Sequence, residues 1–268
     1  MDFSGRGRPA EISPLGRAAV TNLKLLHPGW DYRFFDDAAV HQFVETEFPE
    51  YREVFDSFCE PIQRVDFFRY LAIYRLGGFY FDLDVLLSRP LDDLLEHECV
   101  FAFEDLNWNR FLRTRYGVDW NVGNYGFGAE PGSPFLKAVI ENCCRAMRDE
   151  AWLKPMMEGI NFLLRRDYYV LNTTGPGLVT RTLAENLQAG GSDVHVLFPE
   201  DVRDKKSWHL FGDYGVHLMN AGWRKPSYLR DRLAWRWEAF VWNRAVAKSL
   251  PLGPLRPLPI GQGVASGR

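Results

Sequence analysis

Two carboxylates, Asp82 and Asp84, follow an apolar run, Phe79-Tyr80-Phe81, which Gly77-Gly78 separates from a helical stretch. In an extended strand residues i and i+2 point to one face, so this spacing predicts that both carboxylates are presented together. They stand near the strand's carboxyl end, where open α/β sheets place ligand sites. Like charges this close repel, and a cation beside them relieves the repulsion. Hard carboxylate oxygens select Mg²⁺ or Mn²⁺, ions that keep coordination positions open for phosphate oxygens. Such an ion would neutralise charge building on a departing diphosphate. A bare D-x-D also recurs by chance and describes a solvated acidic turn equally well. Upstream, Asp66 and Arg69 are three apart and so share a helix face. Alone, that pair is an ordinary surface ion pair worth little. Here the helix feeds through Gly77-Gly78 into the acidic strand, so both elements border one site.

The elements that must position these residues are partly visible. Helical patterns fall over residues 17–26, 38–47 and 49–58, and the turn His27-Pro28-Gly29 closes the first. The strongest helix spans residues 61–76: Pro61 suits its first position, Ile62, Val65, Phe68, Leu71 and Ala72 recur at helical spacing, and Gly77-Gly78 stops it. Strands are predicted over residues 30–35, 79–84, 99–103 and 194–198, and further helices over 133–150, 176–188 and 227–248. Strands alternating with helices indicate an α/β fold. A Gly/Arg/Pro-rich segment (residues 1–13) and a Pro/Gly-rich tail (residues 251–268) have little to bury and are expected to be disordered. Residues 14–250 are expected to form one domain.

The 268 residues are 46% hydrophobic and 25% charged, ordinary for a globular chain. Aromatics reach 15% with nine Trp, a composition that suits stacking on sugars and equally suits a large core. A net charge of −3 gives no basic footprint, and no nucleic-acid partner is expected. Cys59, Cys99, Cys143 and Cys144 lack zinc-site spacing and read as reduced thiols, which favours a cytoplasmic setting. No apolar run is long enough to span a membrane.

From Val65 to Asp84 the chain reads Val65-Asp66-Phe67-Phe68-Arg69-Tyr70-Leu71-Ala72-Ile73-Tyr74-Arg75-Leu76-Gly77-Gly78-Phe79-Tyr80-Phe81-Asp82-Leu83-Asp84. This resembles the D-x-x-R-Y…L…GG-x-Y-x-D-x-D signature of glycosyltransferase family 32, seen in yeast Golgi mannosyltransferases, bacterial capsule enzymes and, more distantly, clostridial glucosylating toxins. Weaker similarities extend over residues 22–223: His27-Pro28-Gly29-Trp30, Asn121 to Phe135, Thr174-Gly175-Pro176-Gly177, and His217 to Trp223, where Gly222 replaces the usual Ser. The family's customary opening strand has no counterpart.

The resemblance implies a GT-A-type nucleotide-sugar-binding domain with a mixed sheet flanked by helices, active in polysaccharide biosynthesis. It implies a UDP- or GDP-hexose donor, a glycan or lipid-linked acceptor, and retention of anomeric configuration. Asp66 and Arg69 would contact the donor sugar or its phosphates. Asp82 would lie near the ribose or sugar, with Asp84 as the firmest ligand of Mn²⁺ or Mg²⁺. His217 would be a late metal or phosphate contact, and Trp223 would cover the diphosphate. Asn121 and Asn124 are candidates for bonding sugar hydroxyls, although Asn beside Gly more often marks a turn. The same holds for Glu104 and Asp105, where a solvated turn is the simpler reading.

Two alternatives stand beside this one. A degenerate transferase could serve as a nucleotide- or sugar-binding module. A phosphatase of the haloacid-dehalogenase type also begins with an apolar strand and D-x-D, its first Asp acting as nucleophile. The predicted 227–248 helix can gather Leu229, Leu233, Trp237, Phe240 and Val241 on one face among basic residues, which predicts either a face packed on the domain or peripheral contact with an anionic bilayer.

Overall fold

The computed structural model describes residues 12–107 and 109–219, together with Leu233, Arg236, Trp237 and Phe240. The end segments expected to be loose lie outside the described residues, save for residues 12 and 13, as does most of the predicted 227–248 helix.

Local chemistry sets the helix starts. Helix α1 (Pro14–Leu26) begins where the Ser13 hydroxyl accepts the Gly16 N–H, with Pro14 at the first position. Helix α2 (Asp37–Glu47) is capped by Asp36 accepting from Ala39 N, and α3 (Arg52–Ser57) follows a single turn of tighter helix. Helix α4 (Pro61–Leu76) opens with a capping box between Glu60 and Gln63. It stops at Gly77 and Gly78, with φ of 70° and 82°, a region that favours glycine. A Cβ on Gly77 would also lie 2.7 Å from the Pro131 ring. Strands β1 (Gly78–Phe81) and β2 (Val85–Leu87) follow, then β3 (Cys99–Leu106), α5 (Arg110–Tyr116), β4 (Trp120–Ala129), α6 (Pro134–Arg148), α7 (Glu150–Met157), α8 (Arg165–Thr173), α9 (Pro176–Gln188), β5 (His195–Leu197), β6 (Leu210–Phe211) and β7 (Gly215–His217).

The main sheet runs β1-β4-β3-β5, antiparallel except for the parallel pair β3 and β5. A small antiparallel sheet, β2-β7-β6, lies beside it. This is the mixed sheet flanked by helices expected of the α/β class. Strand β3 shows how the two cores form. Cys99, Phe101 and Phe103 point into the larger core with α4, α6 and α9, while Val100 and Ala102 point into a smaller one with β2 and the end of α1.

Strand β4 carries the decisive irregularity. Phe101 pairs with Phe127, but the next residue, Ala102, pairs with Gly123. Asn124, Tyr125 and Gly126 are therefore surplus on β4 and form a bulge, a device that re-aims side chains beside functional sites. Two glycines make the neighbouring β1 pairing possible. Gly128 and Gly126 lie opposite Phe79 and Phe81, whose rings cover them, and a Cβ would come within 2.4 Å and 2.7 Å of those rings.

The expected strand at residues 30–35 is absent. Its aromatics have other partners: Trp30 stacks on Phe79, and Phe35 packs edge-on against Phe43 and Phe68. The segment has no strand to pair with, so alternation alone was insufficient. Helices α5, α7 and α8 and strand β4 were not read from the sequence. The four cysteines are unpaired, with Cys99, Cys143 and Cys144 buried.

Candidate functional site

The D-x-D carboxylates do not lie on a strand, and the sequence expectation needs correction there. Strand β1 ends at Phe81, and Asp82-Leu83-Asp84 form a turn closed by Val85 N donating to Asp82 O at 3.1 Å. The physical reason is that β1 and β2 belong to different sheets. The last backbone bond on the first side is Asp82 N to Tyr125 O, at 2.7 Å on the bulge. On the second side Leu218 N donates to Asp84 O at 2.9 Å. A turn pinned at both ends brings the carboxylates together, not strand pleating.

His217 joins them from β7, whose antiparallel pairing sets it opposite Val85. Its Nε2 lies 3.4 Å from Asp84 Oδ1, and its ring stacks on Tyr125 with centroids 4.3 Å apart. The bulge is what turns Tyr125 towards that face. One ligand atom each from Asp82, Asp84 and His217 fall within 4.8 Å of one another. The side chains are 29%, 16% and 15% exposed, open enough for a ligand and sheltered enough to strengthen its electrostatics. Two carboxylate oxygens and one imidazole nitrogen fit a divalent ion, and the nitrogen favours Mn²⁺ over the oxygen-seeking Mg²⁺. The buried Nδ1 of His217 has no hydrogen-bond partner among the described residues.

Beneath the turn lies a buried polar network. Arg69 on α4 donates through Nη1 to Asn124 O at 2.7 Å. Its guanidinium also stands 3.1 Å from Asp66 Oδ1 and 3.4 Å from Asp82 Oδ1. Asn124 Nδ2 donates to Asp66 Oδ1 and to the Tyr70 hydroxyl. Thr174 donates its hydroxyl to Asp66 Oδ2, and Tyr70 donates to Thr174 O. Tyr80 donates to Asp82 Oδ1 at 2.6 Å, with the Arg69 guanidinium 4.7 Å over its ring.

Burial raises the Asp66 carboxyl to about 6, outweighing the Arg69 charge and the bonds from Thr174 and Asn124. For Arg69 burial works downwards, but Asp82, Tyr80 and Asp66 together carry the balance upwards, so the guanidinium stays charged. Burial pushes Tyr70, Tyr80 and Tyr125 well above their ordinary values, which keeps their hydroxyls protonated as donors. One guanidinium faces Asp66 and Asp82.

The structure thus brings together Asp66, Arg69, Asp82, Asp84, Asn124 and His217. Asp66 and Arg69, expected as donor contacts, are 4% and 2% exposed and touch Asp82, Asn124 and Thr174. Asn124, expected in a turn or on a sugar, sits in the bulge and serves the buried network. Asn121 donates to Asp105 Oδ1 at 2.8 Å. Trp223 lies outside the described residues. Sequence reasoning missed Tyr80, Tyr125 and His209. Tyr80 had a signal, since it stands two residues before Asp82. Tyr125 had none, because only the bulge turns it towards His217. His209, at φ 59°, stands 3.7 Å from Glu104 and 6.4 Å, between ring centroids, from His217.

Residues 16–101 match the sequence model of a family described as "Glycosyltransferase sugar-binding region containing DXD motif". Inositol phosphoceramide mannosyltransferase 3 of Schizosaccharomyces pombe is 34% identical over 120 residues, 45% of this chain and 30% of that protein. Mannosyl phosphorylinositol ceramide synthase SUR1 of Saccharomyces cerevisiae is 29% identical over 151 residues, 56% of this chain and 33% of that one. The chain therefore spans about a third of the length of these two relatives. A solved structure, PaToxG glycosyltransferase, aligns with a TM-score of 0.40 at 13% identity, covering 67% of this chain and 66% of that one. Over residues 16–101, with Asp82 and Asp84 as its D-x-D, this chain is similar to the family of glycosyltransferase sugar-binding regions.

Proposed function

We propose that the protein is a metal-dependent glycosyltransferase that moves a hexose from a UDP- or GDP-sugar to a glycan or lipid-linked acceptor. The observation that carries this is the meeting of Asp82, Asp84 and His217 within 4.8 Å, in a chain whose D-x-D lies inside the matched family region. The same match favours a transferase over a phosphatase. Mn²⁺ or Mg²⁺ held there supplies charge to offset that of a leaving diphosphate. The chain's own part is to hold that pocket rigid: Arg69 and Tyr80 fix Asp82, the turn fixes Asp84, and Tyr125 fixes the His217 ring. Asp66, Arg69, Asp82, Asn121, Asn124 and Trp223 stay as proposed donor contacts. Retention by front-face displacement is the most economical chemistry, since no second carboxylate is assigned as a nucleophile.

The relatives' names put a mannosyl donor and an inositol phosphoceramide among the first compounds to test. The experiment is donor hydrolysis across UDP- and GDP-sugars, with Mn²⁺, with Mg²⁺ and with excess EDTA. Turnover with one donor that EDTA abolishes is the expected result. Full activity in EDTA would remove the metal, and no turnover with any donor and acceptor would favour a binding module.

A second reading concerns location. Among the described residues no helix is long and apolar enough to cross a membrane. Leu233, Trp237 and Phe240 are helical and 55%, 63% and 53% exposed, spaced to share one face, and Arg236 is exposed beside them. Residues 224–248 contain seven Lys and Arg against two Asp and Glu. An exposed aromatic face in a basic stretch suits a cytoplasmic protein resting on an anionic bilayer. Cosedimentation with anionic vesicles that falls with salt and with removal of residues 227–268 is expected. Absence of binding at low salt overturns this reading.

A further inference from the structure

Tyr80, on β1, is two residues before Asp82. Its ring is held between Phe127, at 5.8 Å, and the Arg69 guanidinium, at 4.7 Å. From that fixed position its hydroxyl donates to Asp82 Oδ1 at 2.6 Å, a short bond of the kind carboxylates make. Arg69 Nη1 approaches the same oxygen at 3.4 Å, while its other contacts, Asn124 O and Asp66, tie it to the bulge and to α4. The Tyr80 hydroxyl and the Arg69 charge thus converge on Oδ1.

We propose that Tyr80 is a positioning residue for the cation site: with Arg69 it engages Asp82 through Oδ1, so that Asp82 offers the ion Oδ2 alone, as a single-oxygen ligand. This rests on the metal-site reading of the function. A carboxylate with one oxygen committed cannot swing into two-oxygen coordination, and it keeps its orientation whether or not an ion is present. The ion then has fewer protein oxygens around it and more positions for phosphate oxygens.

The test is Tyr80→Phe, which removes only the hydroxyl and leaves the ring on Phe127 and under Arg69. Mn²⁺ affinity is measured by electron paramagnetic resonance of the free ion, with no donor sugar present, beside thermal melts of the metal-free proteins. Loss of such a supporting partner typically weakens metal binding about 10-fold or more, and that loss is expected here with the metal-free Tm little changed. In turnover the Mn²⁺ concentration for half-maximal rate rises in parallel, while kcat at saturating Mn²⁺ stays within about threefold, a split that a merely structural role would not produce. Unchanged Mn²⁺ affinity in Tyr80→Phe, when Asp82→Asn loses it, overturns the proposal and leaves the metal site standing. Unchanged affinity in both variants removes the metal site itself. As a second measurement, 3-fluorotyrosine at position 80 should give a fluorine NMR signal that moves on Mg²⁺ addition. A signal that stays still in protein that binds Mg²⁺ also overturns it.

Discussion

Asp82, Asp84 and His217 are the proposed ligands of a cation, so removing either carboxylate tests the metal reading directly. Asp84→Ala and Asp82→Asn should each lower turnover by two orders of magnitude or more, since a metal ion's stabilisation of transition-state charge amounts to several kcal/mol. Wild-type rates in either variant would end the metal assignment. Arg69→Lys keeps the charge but loses the fork that reaches Asn124 O, Asp66 and Asp82 together. It should be destabilised by about 2 kcal/mol, the order of a lost charged hydrogen bond in a buried site, and its turnover should fall at least tenfold. An unchanged urea midpoint would return Arg69 to the rank of an ordinary ion pair. Asp66 gives a pH signature. Its folded value, about 6, lies above the ordinary 3.8, so the native state binds the proton more tightly than the unfolded chain. Its contribution is therefore full below about pH 4 and is lost as pH rises through 6, by about 3 kcal/mol at 1.36 kcal/mol per unit. Stability of Asp66→Asn relative to wild type should rise across that window, and parallel stability curves would contradict it.

Strand β1 and its partner β4 are matched in a way that can be tested apart from chemistry. Phe79 and Phe81 lie over Gly128 and Gly126 because no Cβ can fit beneath the rings. Gly128→Ala should cost about 1–3 kcal/mol, the usual penalty for overpacking. Mn²⁺ affinity should survive in it, since Phe79 is at the far end of β1 from the turn. A Tm equal to wild type would show that the ring moves aside freely. The ends of α4 were legible in the sequence for good reason: Pro61, Gln63 and Gly77-Gly78 act on their immediate neighbours, and local sterics and capping do not need the rest of the fold. The bulge at Asn124–Gly126 was not legible. Nothing in Asn-Val-Gly-Asn-Tyr-Gly says that Ala102 will skip to Gly123, because that register depends on β1 competing for the other edge of β4.

The proposed cation site joins the two sheets, since Asp82 and Asp84 lie in the turn from β1 to β2 and His217 ends β7. An ion bound there stabilises the native state alone. At 100 times its dissociation constant, Mn²⁺ should add about 2.7 kcal/mol and raise the Tm, with EDTA reversing the rise. Asp84→Ala should show no such rise, and an equal rise in wild type and variant would place the ion elsewhere. This joining also marks where inference from the chain alone ends. The types and order of residues determined α4, the abrupt glycine exit, the apolar approach to D-x-D and the family resemblance, because short-range sterics, periodicity and a contiguous motif are properties of neighbours. The tertiary structure alone decided that the carboxylates meet in a turn and not on a strand, that Asp66 and Arg69 lie beneath them, that Asn124 supports Asp66, and that Tyr125 and Tyr80 orient His217 and Asp82. Those outcomes depend on which strands pair, in what register and on which face, and long-range pairing is settled by burial and hydrogen bonding across the whole molecule.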